Sequence, residues 1–145
     1  MSELKQIVLK KIENHQEFDQ LAEIYYNSMV DQFERLELNK LEPLILSPRC
    51  LCVVAKAGDT VIGFIYGILK PDSSSCLGGE FAVERKYRSL ELARLLAEDF
   101  LNRLRELGVK KLEFIFDQKY SRLYRRIFKN VVIDQHKIIR YECAA

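Results

Sequence analysis

The sequence predicts one domain of the mixed α/β class. Segments typical of strands alternate with segments typical of amphipathic helices along the chain, and this alternation is characteristic of α/β proteins. The length of 145 residues is close to the usual size of one domain, about 150 residues. With 48% hydrophobic and 30% charged residues, the composition is globular and excludes collagen-like and disordered classes. We therefore expect residues 1–145 to form a single domain with one core.

One strand and two helices are predicted at the start of the chain. Residues 6–12 are typical of a strand, and residues 15–30 carry apolar side chains at helical spacing. A second, shorter helix is expected over residues 31–41. Pro43 and Pro48 should end this helical region, because proline cannot donate a backbone hydrogen bond.

A hairpin and a further strand are predicted next. Residues 51–57 and 60–69 are rich in β-formers and are separated by Gly58-Asp59, a strong signal for a tight turn. A polar loop then leads to a strand over residues 76–83. The sequence thus predicts three consecutive strands in this part of the chain.

A long amphipathic helix is predicted over residues 90–107. Asp99 and Arg103 can pair one turn apart on its outer face, and Gly108 supplies the usual residue at a helix C-terminus. One face carries the apolar side chains Ala93, Leu96, Ala97, Phe100, Leu104 and Leu107.

The remaining segments predict a strand over 110–116, a short helix over 119–129 and a strand pair over 131–143, broken near 134–136. The side chains expected to face inward from the short helix are Tyr120, Leu123, Tyr124, Ile127 and Phe128. The order is therefore β-α-α-β-β-β-α-β-α-β-β.

Charge and cysteine content narrow the function classes. The net charge of only +2 provides no global field for nucleic acid or an anionic membrane. The longest apolar stretch, residues 61–69, is too short to span a bilayer, and no secretory leader is visible, so we expect a cytoplasmic protein. The cysteines have poor spacing for zinc, no metal site is expected, and they are interpreted as free, buried residues: Cys50, Cys52, Cys76 and Cys143.

The junction between the fourth strand and the long helix resembles that of the GNAT superfamily of acetyl-coenzyme-A-dependent N-acetyltransferases. The strand ends in residues 81–83, and a polar turn over residues 84–88 leads into the helix. The first N–H groups of a helix are unpaired and converge on one point, which favours an anion. The resemblance covers nearly the whole chain and implies a mostly antiparallel sheet of six to seven strands flanked by about four helices.

The superfamily binds the diphosphate of acetyl-coenzyme A at this turn, through the pattern Arg/Gln-x-x-Gly-x-Gly/Ala. Arg88 and Ala93 match that pattern, while Glu91 stands where glycine is usual and brings a carboxylate beside the diphosphate. Ser89 can either donate its hydroxyl to phosphate or cap the helix. The residues expected to bind the diphosphate are Arg88, Ser89, Leu90, Glu91, Leu92 and Ala93.

Further site residues follow from the resemblance. The backbone of Phe81, Ala82 and Val83 is expected to hold the pantetheine amides, much as a strand pairs with its neighbour. Asp117 stands where the family has Asn at the end of the fifth strand, and Tyr124 follows seven residues later on the same helical face. In the family this tyrosine hydroxyl faces the coenzyme A sulfur and stabilises the departing thiolate. The alternative is that Tyr124 only packs in the core.

The reaction requires a base for the amine acceptor, and a carboxylate is the expected group. Glu80 is the first choice and Glu113 the second. Strand alternation places Glu80 on the face opposite Phe81, unless the preceding Gly78-Gly79 introduce a bulge that changes this parity. Candidate acceptor-binding residues are Tyr25, Tyr26, Asp31, Gln32 and Asp72.

The predicted function is transfer of an acetyl group from acetyl-coenzyme A to an unidentified amine acceptor, a small molecule or a protein. Two alternatives remain open. The domain can bind acyl-coenzyme A or regulate without catalysis, because Glu91 weakens the diphosphate site. A less favoured alternative is contact with nucleic acid. A homodimer also stays open as an assembly. The side chains for a nucleic-acid contact would be Tyr120, Arg122, Tyr124, Arg125, Arg126 and Lys129.

Overall fold

The computed structural model describes residues 6–28, 38–72, 74–115, 121–128, 131–133 and 138–142. Within those residues the chain forms seven strands and four helices. In chain order they are β1 (Ile7–Lys11), α1 (His15–Ser28), α2 (Leu38–Ile45), β2 (Cys50–Ala57), β3 (Thr60–Leu69), β4 (Ser75–Val83), α3 (Leu90–Glu106), β5 (Lys111–Ile115), α4 (Ser121–Ile127), β6 (Val131–Ile133) and β7 (Ile138–Glu142). A 3-10 turn, Arg85–Tyr87, joins β4 to α3.

The strands form one sheet in the order β1-β2-β3-β4-β5-β7-β6. The pairing of β4 with β5 is parallel, and the other pairs are antiparallel. Helix α3 provides the crossover that a parallel pair requires. The mixed, mostly antiparallel α/β class predicted from the sequence is confirmed.

Local signals fix the turns and helix ends as expected. Gly58 in the β2–β3 hairpin and Gly108 after α3 have φ angles of 61° and 81°. This left-handed conformation favours glycine because a Cβ is strained there. Asp99 accepts a hydrogen bond of 2.7 Å from Arg103 on α3, the pair that the i, i+4 spacing predicted.

The sheet separates two hydrophobic clusters, so the expectation of one core was wrong. A sheet with helices on both faces buries apolar side chains on each face. On the α3 face, defined by the helices α3 and α4 that cover it, the largest buried residues are Leu92, Leu96, Phe100, Leu104, Phe114 and Phe128. On the α1 face, covered by α1 and α2, they include Phe18, Leu21, Leu41, Ile45 and Phe64.

The predicted end of the second helix was wrong, whereas its predicted start lies outside the described residues. Helix α2 runs to Ile45 and contains Pro43, which was expected to end it. Leu41 and Ile45 are almost completely buried in the α1-face cluster. Their burial is worth about 1.5–3 kcal/mol each and offsets the backbone hydrogen bond that the proline cannot donate.

Two of the residues expected to face inward are exposed. Leu123 on α4 is 46% exposed, and Leu107, which follows the last residue of α3, is 50% exposed. Leu107 leaves the apolar face because the helix ends at Glu106. Leu92 and Leu101 are instead buried on α3, so the apolar face is wider than the stripe read from the sequence.

Cys50, Cys52 and Cys76 are free and buried, as predicted, whereas Cys143 lies outside the described residues. Burial raises the pKa of the Cys50 thiol to about 12. Among the described helices, none is long and apolar enough to cross a membrane.

Candidate active site

A bulge in β4 lies at the centre of the candidate site. The pairing of β3 with β4 passes from Ile65–Phe81 to Gly67–Gly78. Three steps along β4 therefore match two steps along β3, and β4 carries one extra residue at this point. Such a bulge bends the strand and redirects side chains.

Two adjacent glycines permit close packing on both faces of this bulge. A Cβ built on Gly78 would lie 2.2 Å from the ring of Phe114, and one built on Gly79 would lie 2.1 Å from the ring of Tyr66. Neither position has room for a side chain. The glycines therefore let two aromatic rings approach the β4 backbone from opposite faces.

The structure settles the parity of Glu80. Phe81 and Val83 pack in the α3-face cluster, and Ala82 packs in the α1-face cluster. Glu80 precedes Phe81 and interacts electrostatically with Tyr66 on the α1 face. Glu80 is half-buried, and this burial raises the pKa of its carboxyl group. A carboxylate with a raised pKa is suited to accept a proton near neutral pH.

Within the described part of the chain, the pairing of β4 with β5 stops before Glu80. Strands β4 and β5 pair from Ser75–Lys111 to Gly78–Phe114, whereas β4 itself continues to Val83. Among the residues that the structure describes, none pairs with the β5-facing edge of β4 beyond Gly78, and this edge can take another extended group. We call this gap the β4–β5 opening. Phe81, Ala82 and Val83, the predicted pantetheine-binding residues, line its β4 side.

The turn after β4 forms the start of α3 as the sequence predicted. Ser89 caps the helix: its Oγ accepts from the Leu92 N–H at 3.0 Å, and its carbonyl accepts from the Ala93 N–H at 3.1 Å. Helix geometry leaves the N–H groups of Leu90 and Glu91 without partners inside the helix. They remain directed at an incoming anion.

Arg88 and Glu91 are both exposed at this turn. The Arg88 guanidinium donates to the Val83 carbonyl at 3.3 Å and so spans the turn from α3 back to the end of β4. Glu91 lies in the first turn of α3, where a carboxylate is favoured by the helix dipole. The same carboxylate would repel a bound diphosphate.

Tyr124 lies on the α3 face at the side of β5. Its ring stacks on Phe128 with a centroid distance of 6.2 Å and packs on Phe114 at 6.0 Å. Phe114 in turn lies against Gly78, the last residue of β4 that pairs with β5. Tyr124 is therefore half-buried and packed next to the place where the opening begins. Asp117 lies outside the described residues.

The structure separates the other candidates from Glu80. Glu113 pairs opposite Leu77 in the closed part of the β4–β5 pairing, so Glu80 is the better-placed carboxylate. Tyr25 is 2% exposed and belongs to the core, while Tyr26 is half-buried beside it. Asp72 precedes β4 at the end of the strand far from the opening. Asp31 and Gln32 lie outside the described residues.

A second cleft of about 610 Å³ adjoins the same turn. Its residues Thr60 and Val61 begin β3, on the other side of β4 from β5. The cleft therefore lies on the opposite side of β4 from the β4–β5 opening, and Arg88 is one of its lining residues. Its other lining residues are Gln20, Glu23, Ile24, Asn27, Glu84 and Arg85.

Tyr66 was missed from the sequence because it occurs in an apolar strand and no motif marks it. The signal was present elsewhere: two consecutive glycines inside a strand indicate that another group approaches the backbone closely. In the sequence, Gly78-Gly79 predicts only the bulge, and the register that identifies the approaching ring comes from the structure.

The fold thus places an open strand edge and a helix N-terminus on the same side of β4, an arrangement that suits an extended group ending in an anion. The sequence matches the model of the acetyltransferase (GNAT) family over residues 18–128. The chain belongs to this family, whose activity is acetyl transfer. No curated protein sequence matches the chain.

Solved structures that resemble the chain have the same fold. A GNAT-family N-acetyltransferase from Escherichia coli, in complex with coenzyme A, is 19% identical, with a TM-score of 0.75 over 96% of this chain and 82% of that one. An aminoglycoside 6'-N-acetyltransferase from Enterococcus faecium is 12% identical, with a TM-score of 0.73 over 95% and 98%. The N-acetylglutamate synthase of Neisseria gonorrhoeae, with coenzyme A and N-acetyl-glutamate, is 10% identical, with a TM-score of 0.74 over 96% and 35%.

Proposed function

We propose that the protein transfers an acetyl group from acetyl-coenzyme A to an amine. The observation that carries this proposal is the β4–β5 opening, which ends at the N-terminus of α3. A strand edge followed by a helix N-terminus fits an extended amide-containing arm that ends in a diphosphate. Family membership agrees with this donor.

The diphosphate is bound at residues 88–93 in this proposal. The N–H groups of Leu90 and Glu91 and the positive end of the α3 dipole face the phosphate oxygens. The Ser89 hydroxyl can still donate its hydrogen, because in the cap its oxygen acts as acceptor. Arg88 adds positive charge at the same turn.

The pantetheine arm lies along β4 and places the thioester near the bulge. Backbone groups of Phe81, Ala82 and Val83 bind its amides as they would bind a neighbouring strand. Counting back along β4 from the diphosphate, the acetyl group reaches the level of Glu80.

Glu80 serves as the general base. A free alkyl amine has a pKa of about 10.4 and is protonated at neutral pH, so it must lose a proton before it can attack. Glu80 takes that proton, the amine nitrogen bonds to the acetyl carbon, and the bond from this carbon to sulfur breaks. The sulfur leaves as a thiolate, which the Tyr124 hydroxyl stabilises through a hydrogen bond. The acylated nitrogen then gives up its second proton to this thiolate, so the products are the neutral amide and the coenzyme A thiol.

Binding of acetyl-coenzyme A is the first test. A ligand that binds only the native state stabilises it by about 2.7 kcal/mol at a hundredfold excess over Kd, so Tm should rise by roughly 5–10 °C. Glu91→Gly should bind acetyl-coenzyme A about 2- to 10-fold more tightly, because the like charge and the Cβ are removed. Calorimetric titration gives both affinities.

Glu98→Gly is the matched control, because Glu98 is also an exposed carboxylate on α3 but lies away from the turn. Its affinity should equal that of the wild type. Unchanged or weaker binding by a folded Glu91→Gly protein would contradict the proposal that the diphosphate binds at residues 88–93. Binding without turnover on any amine would favour the non-catalytic alternative.

The role of Glu80 is tested by Glu80→Gln, which keeps the size of the side chain and removes the base. Turnover should fall by about 100-fold or more at neutral pH. It should recover at high pH, where the amine loses its proton without help. A variant with the wild-type rate and pH profile would exclude Glu80, and Glu113 would be tested next.

We also infer a reducing, cytoplasmic compartment. Cys50, Cys52 and Cys76 are free thiols, and structural thiols of this kind persist where glutathione keeps them reduced.

A further inference from the structure

Tyr66 of β3 lies opposite the bulge of β4. Because the register passes from Ile65–Phe81 to Gly67–Gly78, Gly79 and Glu80 both lie opposite this one residue. Tyr66 is therefore the β3 residue that lies opposite the β4 bulge.

The hydroxyl-bearing edge of the Tyr66 ring lies directly against the bulge. A Cβ at Gly79 would be 2.1 Å from Cε1 and 2.5 Å from Cζ of this ring. Real side-chain atoms do not approach so closely, so the ring and the glycine backbone are in van der Waals contact. A different backbone path at Gly79 would need a different position of the ring.

The ring cannot move aside easily. Tyr66 is 5% exposed, and its ring stacks on Phe64 with a centroid distance of 6.3 Å and an interplanar angle of 18°. Phe64 is fully buried and packs on Tyr25 of α1 at 6.5 Å. Tightly packed interiors resist such displacements, so the backbone at Gly79 adapts to the ring.

The same contact places Tyr66 beside the proposed base. Burial raises the pKa of Tyr66 above its ordinary value, and the charge of Glu80 adds to this effect, so the phenol stays neutral at pH 7. The titratable groups that face Tyr66 from the elements packed around it are Glu80 on β4, Tyr25 on α1, and Cys50 and Cys52 on β2.

We propose that Tyr66 is a positioning residue for Glu80: its ring, packed under Gly79, holds the β4 bulge in the form that directs the carboxylate to the β4–β5 opening. The functional part of this inference rests on the proposed role of Glu80 as base. Tyr66 itself need not touch the acceptor or the donor.

Gly79→Ala tests the contact with Tyr66 still in place. The added methyl group would force the bulge away from the ring and carry Glu80 toward solvent. Carbon-13 NMR of protein labelled at glutamate carboxyls, with Glu80 assigned through Glu80→Gln, measures its titration. In Gly79→Ala the pKa should fall toward the ordinary glutamate value of about 4.3. Turnover, measured as thiol release from acetyl-coenzyme A with butylamine, should fall about 10-fold or more.

Two variants separate the ring from the hydroxyl. Tyr66→Phe keeps the ring, so the Glu80 titration should stay as in the wild type and turnover within about twofold. Tyr66→Leu removes the ring and should reproduce the Gly79→Ala effects. In the double variant Tyr66→Leu/Gly79→Ala, adding Gly79→Ala should reduce turnover by a factor at least about fivefold smaller than it does when Tyr66 is present. The effects should overlap because the two positions act through one contact.

Gly78→Ala is the matched control, because its methyl group would meet Phe114 on the other face of β4. Tyr66→Leu should not reduce the cost of that substitution. An unchanged Glu80 titration in folded Gly79→Ala would overturn the proposal. A loss of turnover in Tyr66→Phe equal to that in Tyr66→Leu would also overturn it, because the hydroxyl would then be the active part.

Failure of the proposed function gives a different result. If Glu80→Gln turns over like the wild type while Gly79→Ala still shifts the Glu80 titration, Glu80 is not the base. Tyr66 would nevertheless set its conformation. If Glu80→Gln turns over like the wild type and Gly79→Ala leaves the Glu80 titration unchanged, both proposals fail.

Discussion

Glu17 is a buried carboxylate that connects α1 to the sheet. Its oxygens accept from the Lys10 Nζ on β1 at 2.5 Å, the Lys56 Nζ on β2 at 3.2 Å and the Glu13 N–H at 2.8 Å. Burial alone would raise the pKa of Glu17, but these hydrogen bonds outweigh it and lower the pKa to about 2. A carboxylate held this way stabilises the fold only while it is ionised.

The low pKa of Glu17 predicts a loss of stability in acid. The stabilisation is complete above the unfolded-state pKa of about 4.3 and is lost as the pH falls from about 5 toward 2. At pH 7, Glu17→Gln should lower the free energy of unfolding by roughly 3 kcal/mol. Urea unfolding of both proteins over this pH range should show the two curves converging in acid. A constant difference between them would contradict the assignment.

Tyr124 is predicted to act in the chemical step. Tyr124→Phe keeps the ring contacts with Phe114 and Phe128, so Tm should change little. If the hydroxyl stabilises the leaving thiolate, kcat should fall while the affinity for acetyl-coenzyme A stays the same, because that interaction exists only in the transition state. Steady-state kinetics and calorimetric titration measure these quantities. Undiminished turnover would leave Tyr124 as a core-packing residue.

The sequence predicts those interactions of single residues that depend on spacing within one helix. It does not predict the interactions that depend on the register between two strands. The Asp99–Arg103 pair and the Ser89 cap follow from positions three or four apart in one helix. The face of Glu80 and the contact of Gly79 with Tyr66 depend on how β3 aligns with β4. One bulge changes that alignment, and no local pattern gives it.

At the scale of elements, the start of α3 combines a structural and a proposed binding role in Ser89. Ser89→Ala removes the acceptor of the Leu92 N–H and should lower the free energy of unfolding by about 1 kcal/mol. It should also weaken binding of acetyl-coenzyme A, whereas Ser89→Thr should preserve both properties. Thermal unfolding with and without the ligand separates the two effects. Equal stability of the Ala variant and the wild type would contradict the cap.

Helix α2 shows why the sequence can predict that a helix is present and still place its end wrongly. The proline rule is local, whereas Leu41 and Ile45 are buried by contacts with α1 and the sheet. Residues 29–37, which include most of the predicted helix, lie outside the described residues. For the hairpin Gly58-Asp59 and for α3, local and tertiary preferences agree, and the predicted boundaries hold to within one residue.

At the scale of the whole molecule, the order of elements was predictable because each element has a clear period or turn signal. The mostly antiparallel sheet was implied by the family resemblance rather than by the residues, and the order of the strands within it comes from the structure. The two clusters on opposite faces were not expected from composition, which gives the amount of apolar surface but not its division. The same division places Glu80 toward the α1 face of β4 and Tyr124 in the α3-face cluster, on opposite faces of the sheet.

A hydrogen bond links helices α3 and α4 in addition to their packing. The Arg94 Nε donates to the Arg126 carbonyl at 2.8 Å and so connects the helix that begins at the proposed diphosphate turn with the helix that carries Tyr124. In the proposed complex, the distance between these two helices sets the length that a donor must have to contact both of them. A carrier arm of the right length reaches both ends together, whereas a shorter acetyl thioester satisfies only one end at a time. The fold would thus select its donor by length as well as by charge.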